Sequence, residues 1–510
     1  MTFSWSNLTV TVPEQSNRRL CGLLPARDGP TPEKIILNDA SGTVRPGEFL
    51  AIMGASGAGK STLLNTLLFR NLAGLKVSGE RLANNQVVTP TSLTAVSAYV
   101  QQDDLLIGTL TVREHLTFQA LVRMDSHIPD KTRFSKVEEI IQEFGLLKCA
   151  DTVIGKPDQG QKGISGGQRK RLSLASEVLT NPSIMFCDEP TSGLDSFMAA
   201  SVVDILKKLA RQGRTVICTI HQPSSQIVEM FDKVLLMAEG RTAFLGHVSS
   251  ANKFLQTCGF PCPAHFNPAD HWVERLAVVP GREEESRRRL DQVCQQFASS
   301  PEGRQLNMLE ENNNKSQEAA RSGSKKKSPY KASWWKQFQA LLWRSFLAVI
   351  KDPLIMQVRI AQTMVISLVL GAVYFGQEHT TAGVMSINGA LFLIITNMTF
   401  ANMFAVINVI CMELPIFLRE HFNGMYRADV YFLTKQLAEL PVFLMTPVIF
   451  VGIIYFMVGL NSEVERFFIA IGIAEVQTQA VVSFGIKNIF FKSKSQHISH
   501  VKAFPVLQVI

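Results

Sequence analysis

The first half of the chain alternates short apolar runs with helical patterns. Four runs, at 48–53, 183–187, 215–220 and 231–237, lack the polar alternation of a half-exposed strand. Strands that are apolar throughout are buried on both faces, and helical segments separate them along this chain. Helices packed on both faces of a parallel sheet would bury such strands. The pattern therefore predicts an α/β domain up to about residue 280.

The second half carries four long apolar runs, which we predict to be membrane-spanning helices. They lie at about 358–375, 387–412, 441–460 and 467–486, the last interrupted by Glu475, Gln477 and Gln479. About 20 apolar residues cross a bilayer core. The alternative is a set of buried helices in a soluble protein, but four such runs in succession argue against it. The tryptophan-rich, amphipathic segment 333–352 predicts a helix lying in the membrane interface.

The distribution of basic residues predicts the orientation of these spans. If the first domain is cytosolic, so is the loop between the second and third spans, which holds Arg419, Arg427 and Lys435. The predicted outer loop 377–388 has no Lys or Arg, and the outer loop 461–466 has one. This distribution follows the positive-inside rule.

The net charge of +8 changes this picture little. A basic chain can indicate a soluble nucleic-acid-binding ATPase, which stays open as an alternative. However, Lys325, Lys326 and Lys327 stand just ahead of the apolar half, where lysines favour contact with anionic lipid. No cleaved signal peptide is visible at the N-terminus, which predicts that the first domain stays in the cytosol.

A glycine-rich turn follows the first buried strand and opens a predicted helix. Its residues are Gly54, Ala55, Ser56, Gly57, Ala58, Gly59, Lys60, Ser61 and Thr62, the complete phosphate-binding loop pattern. Glycines let backbone N–H groups approach phosphates, and the helix N-terminus adds positive potential. Lys60 is predicted to reach the β- and γ-phosphates of ATP, and the Ser61 hydroxyl to bind Mg²⁺.

Two carboxylates end a later strand. Asp188 is predicted to hold Mg²⁺ through water, and Glu189 to polarise the attacking water. Both roles suit phosphoryl transfer, which depends mainly on positioning and charge stabilisation. Because paired acids also occur in ordinary solvated turns, this prediction depends on the phosphate-binding loop upstream.

A second glycine-containing segment precedes another helix. It consists of Ser165, Gly166, Gly167 and Gln168, followed by Arg169, Lys170 and Arg171. An ordinary N-cap at Ser165 is the alternative, but cations in a first turn oppose the helix dipole. We therefore predict that this helix N-terminus binds an anion.

The order of these motifs, continued by 191–195 and His221, resembles that of ATP-binding cassette proteins over about 35–250. The resemblance implies that the 165–168 segment binds the γ-phosphate of ATP held by a second cassette. It implies that Gln102 senses Mg²⁺ and water, that Asp195 couples the two sites, and that His221 contacts the γ-phosphate. Phe3 and Trp5 are candidates for stacking on adenine.

Cassette first and membrane domain second is the order of subfamily G half-transporters. Segments 219–225, 236–240 and 267–270 are similar to that subfamily, and 417–427 and 431–441 resemble its White-type, eye-pigment precursor transporters. The resemblance implies a type II exporter fold: an α/β nucleotide-binding domain followed by an all-α transmembrane domain. Family members have six spans, so the pattern predicts truncation after four.

The resulting domain prediction has five parts. They are 1–280, an ATP-binding cassette domain; 281–332, a partly disordered linker; 333–352, a connecting helix; 353–486, the transmembrane domain; and 487–510, a divergent tail. The resemblance places the protein in the plasma membrane or an intracellular granule membrane.

The resemblance also implies function and partners. An ATP hydrolase of this kind moves small planar or hydrophobic substrates out of the cytosol, such as guanine- or tryptophan-derived pigment precursors. Each chain has one phosphate-binding loop and one 165–168 segment, so a second half-transporter is required. A heterodimer with a Brown- or Scarlet-type chain is favoured and a homodimer is the alternative. Another alternative is a regulatory subunit that binds ATP and a partner but transports nothing.

Three residues of the second span are candidates for substrate contact. Thr396, Asn397 and Phe400 offer a hydroxyl, an amide and an aromatic ring that can grip a planar heterocycle. Polar contact between packed helices is an equally open interpretation.

Overall fold

The computed structural model describes residues 1–13, 33–156, 160–306, 330–377, 380–461 and 463–496, without the side chains of 355, 382 and 486–496. The chain divides into two compact units. The first comprises Met1–Asp104, Glu138–Lys148 and Ile164–Pro329, and the second Leu105–Val137, Cys149–Gly163 and Tyr330–Ile510. The second unit therefore combines the membrane helices with two segments from the N-terminal half.

Two sheets organise the first unit. Their strands are β1 (Phe3–Pro13), β2 (Glu33–Val44), β3 (Phe49–Gly54), β4 (Lys76–Ala83), β5 (Gln86–Val87), β6 (Ser97–Val100), β7 (Ile184–Asp188), β8 (Thr215–Thr219), β9 (Lys233–Ala238) and β10 (Arg241–His247). One sheet has the order β10-β9-β3-β8-β7-β6 and is parallel except at β10. The other has the order β2-β1-β4-β5 and is antiparallel. The four predicted buried strands are β3, β7, β8 and β9, which confirms the α/β class.

Helices surround the parallel sheet. They are α1 (Lys60–Leu67), α2 (Pro90–Val96), α5 (Gly166–Val178), α6 (Ser196–Arg211), α7 (Ser225–Val228), α8 (Val248–Thr257), α9 (Pro268–Arg275) and α10 (Glu283–Ser299), while α4 (Asp130–Glu143) crosses the division between the units. Helix α10 lies inside the segment predicted to be a disordered linker. Leu290, Val293 and Phe297 are buried on one of its faces, which explains why this charged sequence is helical. The rest of the predicted linker, from 307 to 329, lies outside the described residues.

The second unit is helical. Its helices are α3 (Val112–Arg123), α11 (Trp334–Lys351), α12 (Pro353–Val373), α13 (Thr381–Phe422), α14 (Ala428–Val458) and α15 (Val464–Gln496). In the described part of the chain, four helices are long and apolar enough to cross a membrane: Met356–Val373, Gly383–Phe422, Ala428–Val458 and Val464–Gly485. These correspond to the four predicted spans.

The structure corrects the predicted loop between the second and third spans. We expected loop residues from 413 to 440, but α13 continues to Phe422 and α14 begins at Ala428. Glu413 accepts a hydrogen bond from Lys435 at 2.8 Å and lies on α13, opposite Lys435 on α14. Charged residues that hydropathy assigns to a loop are thus paired between two continuous helices.

A buried cluster joins α3, α11 and the turn between α13 and α14. Arg344 on α11 donates two hydrogen bonds to Glu420, at 2.8 and 2.9 Å, and its guanidinium lies 4.0 Å from the centre of the Phe118 ring. The Tyr426 hydroxyl donates to Glu420 at 2.5 Å. Burial acts to lower the pKa of Arg344, but Glu420 and Tyr426 more than offset this, so the pKa lies above its usual range. We call Phe118, Arg344, Glu420 and Tyr426 the Arg344 cluster.

Candidate functional site

The phosphate-binding loop begins where the central strand β3 ends. All six residues of β3 are buried, and β9 and β8 pair with it on its two sides. Gly54, Gly57 and Gly59 have φ values of 155°, 79° and 95°, which favour glycine. A Cβ on Gly54 would lie 2.4 Å from the Met237 carbonyl oxygen, so no larger residue fits there. The loop then enters α1 at Lys60, as predicted.

Lys60 occupies the interior of this loop. Its ammonium donates hydrogen bonds to the carbonyl oxygens of Gly54 at 2.8 Å and Ala55 at 2.9 Å, and the residue is 7% exposed. Burial lowers the pKa of Lys60, while the Glu189 and Asp188 carboxylates act to raise it. A buried cation held by two neutral acceptors can interact more strongly with an anion, so the loop suits a phosphate. Ser61, at the start of α1, is exposed to solvent.

The predicted carboxylates lie together at the end of β7. Glu189 accepts a hydrogen bond from the Gln102 side-chain amide at 2.8 Å, which brings two predicted catalytic residues into contact across 87 positions of sequence. Glu189 has a left-handed φ of 44°. Such strain in a non-glycine residue often accompanies a functional site.

Two residues that the sequence analysis missed hold these carboxylates. The Thr219 hydroxyl donates to Asp188 at 2.6 Å and accepts from the Glu189 backbone N–H at 2.9 Å. The Tyr99 hydroxyl donates to Asp188 at 3.4 Å, and burial followed by the nearby Asp188 raises the pKa of Tyr99. Strand β8 pairs with β7 so that Thr219 lies opposite Asp188. The sequence signal that could have identified Thr219 is its position as a polar residue at the end of an otherwise apolar strand.

The described residues fit a magnesium ion that is held only partly by protein. They contain no group of three His, Cys, Asp or Glu side chains that could hold a metal unaided. Mg²⁺ usually keeps several waters and takes one or two protein ligands beside substrate phosphates. The Ser61 hydroxyl and the Asp188 carboxylate supply ligands of that type. The residues present therefore suit Mg²⁺ bound together with a nucleotide.

The predicted 165–168 segment begins α5. Ser165 is the N-cap of α5: it accepts from the Gln168 N–H at 3.3 Å, and its own N–H donates to the Gln168 side chain at 2.8 Å. Within the basic first turn, buried Lys170 pairs with Asp104 at 3.0 Å and donates to the Gln102 carbonyl at 2.8 Å. Gly166 and Gly167 begin the helix, and whether this N-terminus binds phosphate stays a prediction.

The remaining predicted nucleotide residues lie at the ends of strands and helices. Asp195 is the N-cap of α6 and accepts from the Met198 N–H at 2.9 Å. His221 is exposed just beyond β8. Phe3 and Trp5, our candidates for adenine stacking, are wrong: both are buried, and Phe3 packs edge-on against Phe186 at 5.5 Å.

The three candidate substrate residues lie midway along α13. Phe400 is half exposed and stacks on Phe404, with 6.2 Å between ring centres. Among the described residues, no hydrogen bond involves the side chains of Thr396 or Asn397. The polar contacts between α13 and α15 are made by neighbouring residues instead, with Thr399 bound to Gln477 at 2.7 Å.

Comparison with known proteins agrees with this arrangement. The family described as "ABC transporter" matches residues 37–192, and the "ABC-2 type transporter" membrane family matches residues 336–504. The chain is 50% identical to Protein white of Drosophila melanogaster, over 95% of this chain and 72% of that protein. It is 43% identical to the ABC transporter ATP-binding protein/permease wht-1 of Caenorhabditis elegans, over 94% and 73%. It is 40% identical to Protein scarlet of Drosophila melanogaster, over 85% and 65%.

These matches cover the phosphate-binding loop, the carboxylate pair and the four membrane helices within one chain. Mouse ABCG2, a "broad substrate specificity ATP-binding cassette transporter", is 35% identical over 86% of the chain. The cassette precedes the membrane domain, which is the reverse-type order of this group. The chain therefore belongs to the ABC transporter family and, within it, to the ABCG half-transporters related to White.

Proposed function

We propose that this chain hydrolyses ATP as one subunit of a dimeric transporter that moves small planar or hydrophobic molecules out of the cytosol. The observation that carries the proposal is the contact of Gln102 with Glu189 at 2.8 Å, beside Asp188. Because the amide and the carboxylate contact each other directly, a water bound beside them can hydrogen-bond to both groups. Lys60 and its loop, at the end of the central strand β3, supply the phosphate site, and only β8 lies between β3 and β7 in the sheet.

Each residue has a separate task in this proposal. Residues 54–62 hold the phosphates through backbone N–H groups and the Lys60 ammonium. Ser61 and Asp188 hold Mg²⁺, which when bound neutralises negative charge on the phosphate oxygens. Glu189 accepts a proton from the attacking water, and Gln102 fixes the orientation of that water. His221, exposed beyond β8, contacts the γ-phosphate.

A dimer follows from the number of parts. The described chain has one phosphate-binding loop and one 165–168 segment, so a composite site needs a second cassette. The backbone N–H groups at the start of α5 would meet the γ-phosphate held by the partner. Asp195, capping α6, would link the two sites. Relatives of this chain include both White and Scarlet proteins, so we favour a heterodimer with a Scarlet-type chain.

The Arg344 cluster offers a path from cassette to membrane. Helix α3 lies in the part of the chain that matches the ABC transporter family, and it packs against α11 within the second unit. Lys351 on α11 also pairs with Glu114 on α3 at 2.6 Å. Movement of α3 would thus be transmitted to the turn between α13 and α14 through buried, rigid contacts.

The substrate is proposed to contact Thr396, Asn397 and Phe400. Phe400 and its stacked neighbour Phe404 present aromatic surface, and Asn397 presents an amide one turn away. A planar heterocycle such as guanine, or a tryptophan derivative, could combine stacking with hydrogen bonds there.

The test uses the chain co-expressed with a Scarlet-type partner in proteoliposomes. We expect ATP hydrolysis and ATP-dependent uptake of labelled guanine or tryptophan, with uptake lost and ATP hydrolysis reduced to about half or less in Lys60→Met and Glu189→Gln, because each change damages one of the two sites of the dimer. Lys76→Met is the matched control, because Lys76 is exposed and pairs with Glu33 in the antiparallel sheet, away from the phosphate-binding loop. If Lys60→Met hydrolyses ATP as fast as Lys76→Met, the proposal is wrong. ATP binding without uptake would instead favour a regulatory subunit.

A further inference from the structure

A carboxylate lies in the middle of the fourth membrane helix. Glu475 stands halfway along the candidate span Val464–Gly485. Its Oε2 is buried, and among the described residues it has no hydrogen-bond partner. Ionisable groups are costly inside a membrane and usually mark a functional position. A buried oxygen left without a donor adds to that cost.

Two more buried polar atoms at this level lack partners within the described part of the chain. They are Nε2 of Gln479, one turn along α15 from Glu475, and the hydroxyl of Thr446 on α14, a residue only 7% exposed. Val451 and Ala474 belong to one buried cluster, and Phe443 and Val482 belong to another, so α14 and α15 run antiparallel here. Thr446, Glu475 and Gln479 lie between these two clusters along the helices, so the depths of the three groups agree to within about one helical turn.

Nearby polar residues on the same helix are satisfied. Gln477 donates to the Ile395 carbonyl at 2.8 Å and to Thr399 at 2.7 Å, and Asn402 donates to Thr478 at 3.5 Å. The polar contacts between α13 and α15 are therefore made by Gln477 and Thr478, and they do not involve Glu475. The three unsatisfied groups are a separate set, so helix packing does not account for them.

We propose that Glu475, Gln479 and Thr446 bind the polar edge of the transported molecule. The inference rests on the proposed function, because it places these groups in the membrane domain of a transporter of planar heterocycles. An acceptor oxygen at Glu475 requires an N–H donor, and the Gln479 amide requires an acceptor. The ligand class is thus a heterocycle in which a ring N–H adjoins a carbonyl oxygen.

Guanine is the probe that matches this arrangement. Its ring N–H and exocyclic amine can donate to Glu475 while its carbonyl oxygen accepts from Gln479. 1-Methylguanine keeps the ring and the carbonyl but replaces the ring N–H with a methyl group. The pair of ligands therefore isolates the contact with Glu475 from stacking elsewhere.

The experiment measures binding of tritiated guanine, without ATP, to the full chain and its partner in lipid nanodiscs. We expect Glu475→Ala and Gln479→Leu each to weaken guanine binding about tenfold or more, as loss of a charged or buried hydrogen bond does. The parent should bind 1-methylguanine as weakly as Glu475→Ala binds guanine. Glu475→Ala should cause no further loss with 1-methylguanine. Equal affinity of the parent for the two ligands would overturn the proposal.

Two controls distinguish a ligand contact at Glu475 from a dimer contact and from a defect in ATP hydrolysis. Glu475→Leu should keep the dimer intact and its melting temperature unchanged or raised, because the variant removes an unsatisfied carboxylate from an apolar region. A dissociated dimer would show that Glu475 pairs with the partner subunit, and would overturn the proposal. ATP hydrolysis is recorded on the same preparations without guanine. Equal binding of guanine and 1-methylguanine by a parent dimer with normal ATPase activity rejects only this site, whereas ATPase activity that does not depend on Lys60 rejects the proposed function.

Discussion

Thr219 touches no substrate in the proposed mechanism, yet its hydroxyl contacts both acidic residues. It donates to the Asp188 carboxylate and accepts from the Glu189 backbone N–H. The Thr219 side chain is completely buried, so these bonds are not exchanged with water. Thr219 thereby fixes the Asp188 carboxylate and the backbone of Glu189, and acts as a positioning residue.

We expect Thr219→Val to lower kcat for ATP about tenfold to a hundredfold, because small misplacement of catalytic groups is costly. The affinity for ATP should change little, since residues 54–62 supply the phosphate contacts. Steady-state ATPase and nucleotide-binding assays on the dimer measure the two effects. Thr215→Val is the matched control: it removes a buried hydroxyl at the other end of β8 and should leave kcat unchanged. Equal loss in both variants would mean that the effect is one of folding.

Single residues were predictable where backbone conformation restricted the choice. The glycines of the phosphate-binding loop and the strand-end carboxylates follow from spacing along the sequence. Lys170 and Thr219 could not be placed in this way, because their partners Asp104 and Asp188 are distant in sequence and meet only in the folded sheet. The dipole argument about α5 overlooked the Lys170–Asp104 ion pair for the same reason, because that pair offsets one cation of the first turn within the protein.

At the scale of elements, hydropathy found every described membrane helix but misplaced the ends of the second and third. It detects apolar length, whereas α13 and α14 both continue past the apolar stretch as paired, charged helix. Pro415 and Pro441 both lie within continuous helices. Neighbouring helices can compensate for the backbone bond that a proline removes. Charge pairing between helices is tertiary information that a window along one sequence lacks.

The Arg344–Glu420 pair gives a prediction at this scale. Both side chains are at most 4% exposed, so removing one partner leaves the other charge buried and unpaired. We expect Arg344→Met or Glu420→Leu to cost about 3–5 kcal/mol of stability. The double variant should recover most of this, since a well-packed apolar pair tolerates burial. Melting temperatures of the purified dimer measure the effect.

The matched control for this pair is Arg427–Asp429, an ion pair that is about half exposed on both sides. Because solvent screens exposed pairs, Arg427→Gln should leave the melting temperature almost unchanged. A double variant as unstable as either single variant would contradict the argument from unpaired charge. The Arg344→Met, Glu420→Leu double variant also tests whether the Arg344 cluster transmits motion. If it does, we expect this variant to hydrolyse ATP but to lose uptake.

At the scale of the whole molecule, the arrangement of the nucleotide sites between two chains can be tested. In a dimer with a Scarlet-type partner, Lys60 belongs to one composite site and the 165–168 segment to the other. Lys60→Met should therefore disable one site, and Gly166→Asp should disable the other, because Gly166 is exposed in the first turn of α5 and an aspartate there places negative charge where the partner's phosphate would bind. Both changes in this chain together should disable both sites.

The number of trapped nucleotides per dimer distinguishes this arrangement from its alternative. We expect each single variant to retain about half of the nucleotide trapped by the parent dimer, and the double variant to retain almost none, since every site then lacks one of its halves. If each chain instead formed a complete site with its own 165–168 segment, both changes would damage the same site. The double variant would then trap as much as either single variant, through the undamaged site of the partner. Dimer recovery by size-exclusion chromatography must be equal across the variants for the comparison to count.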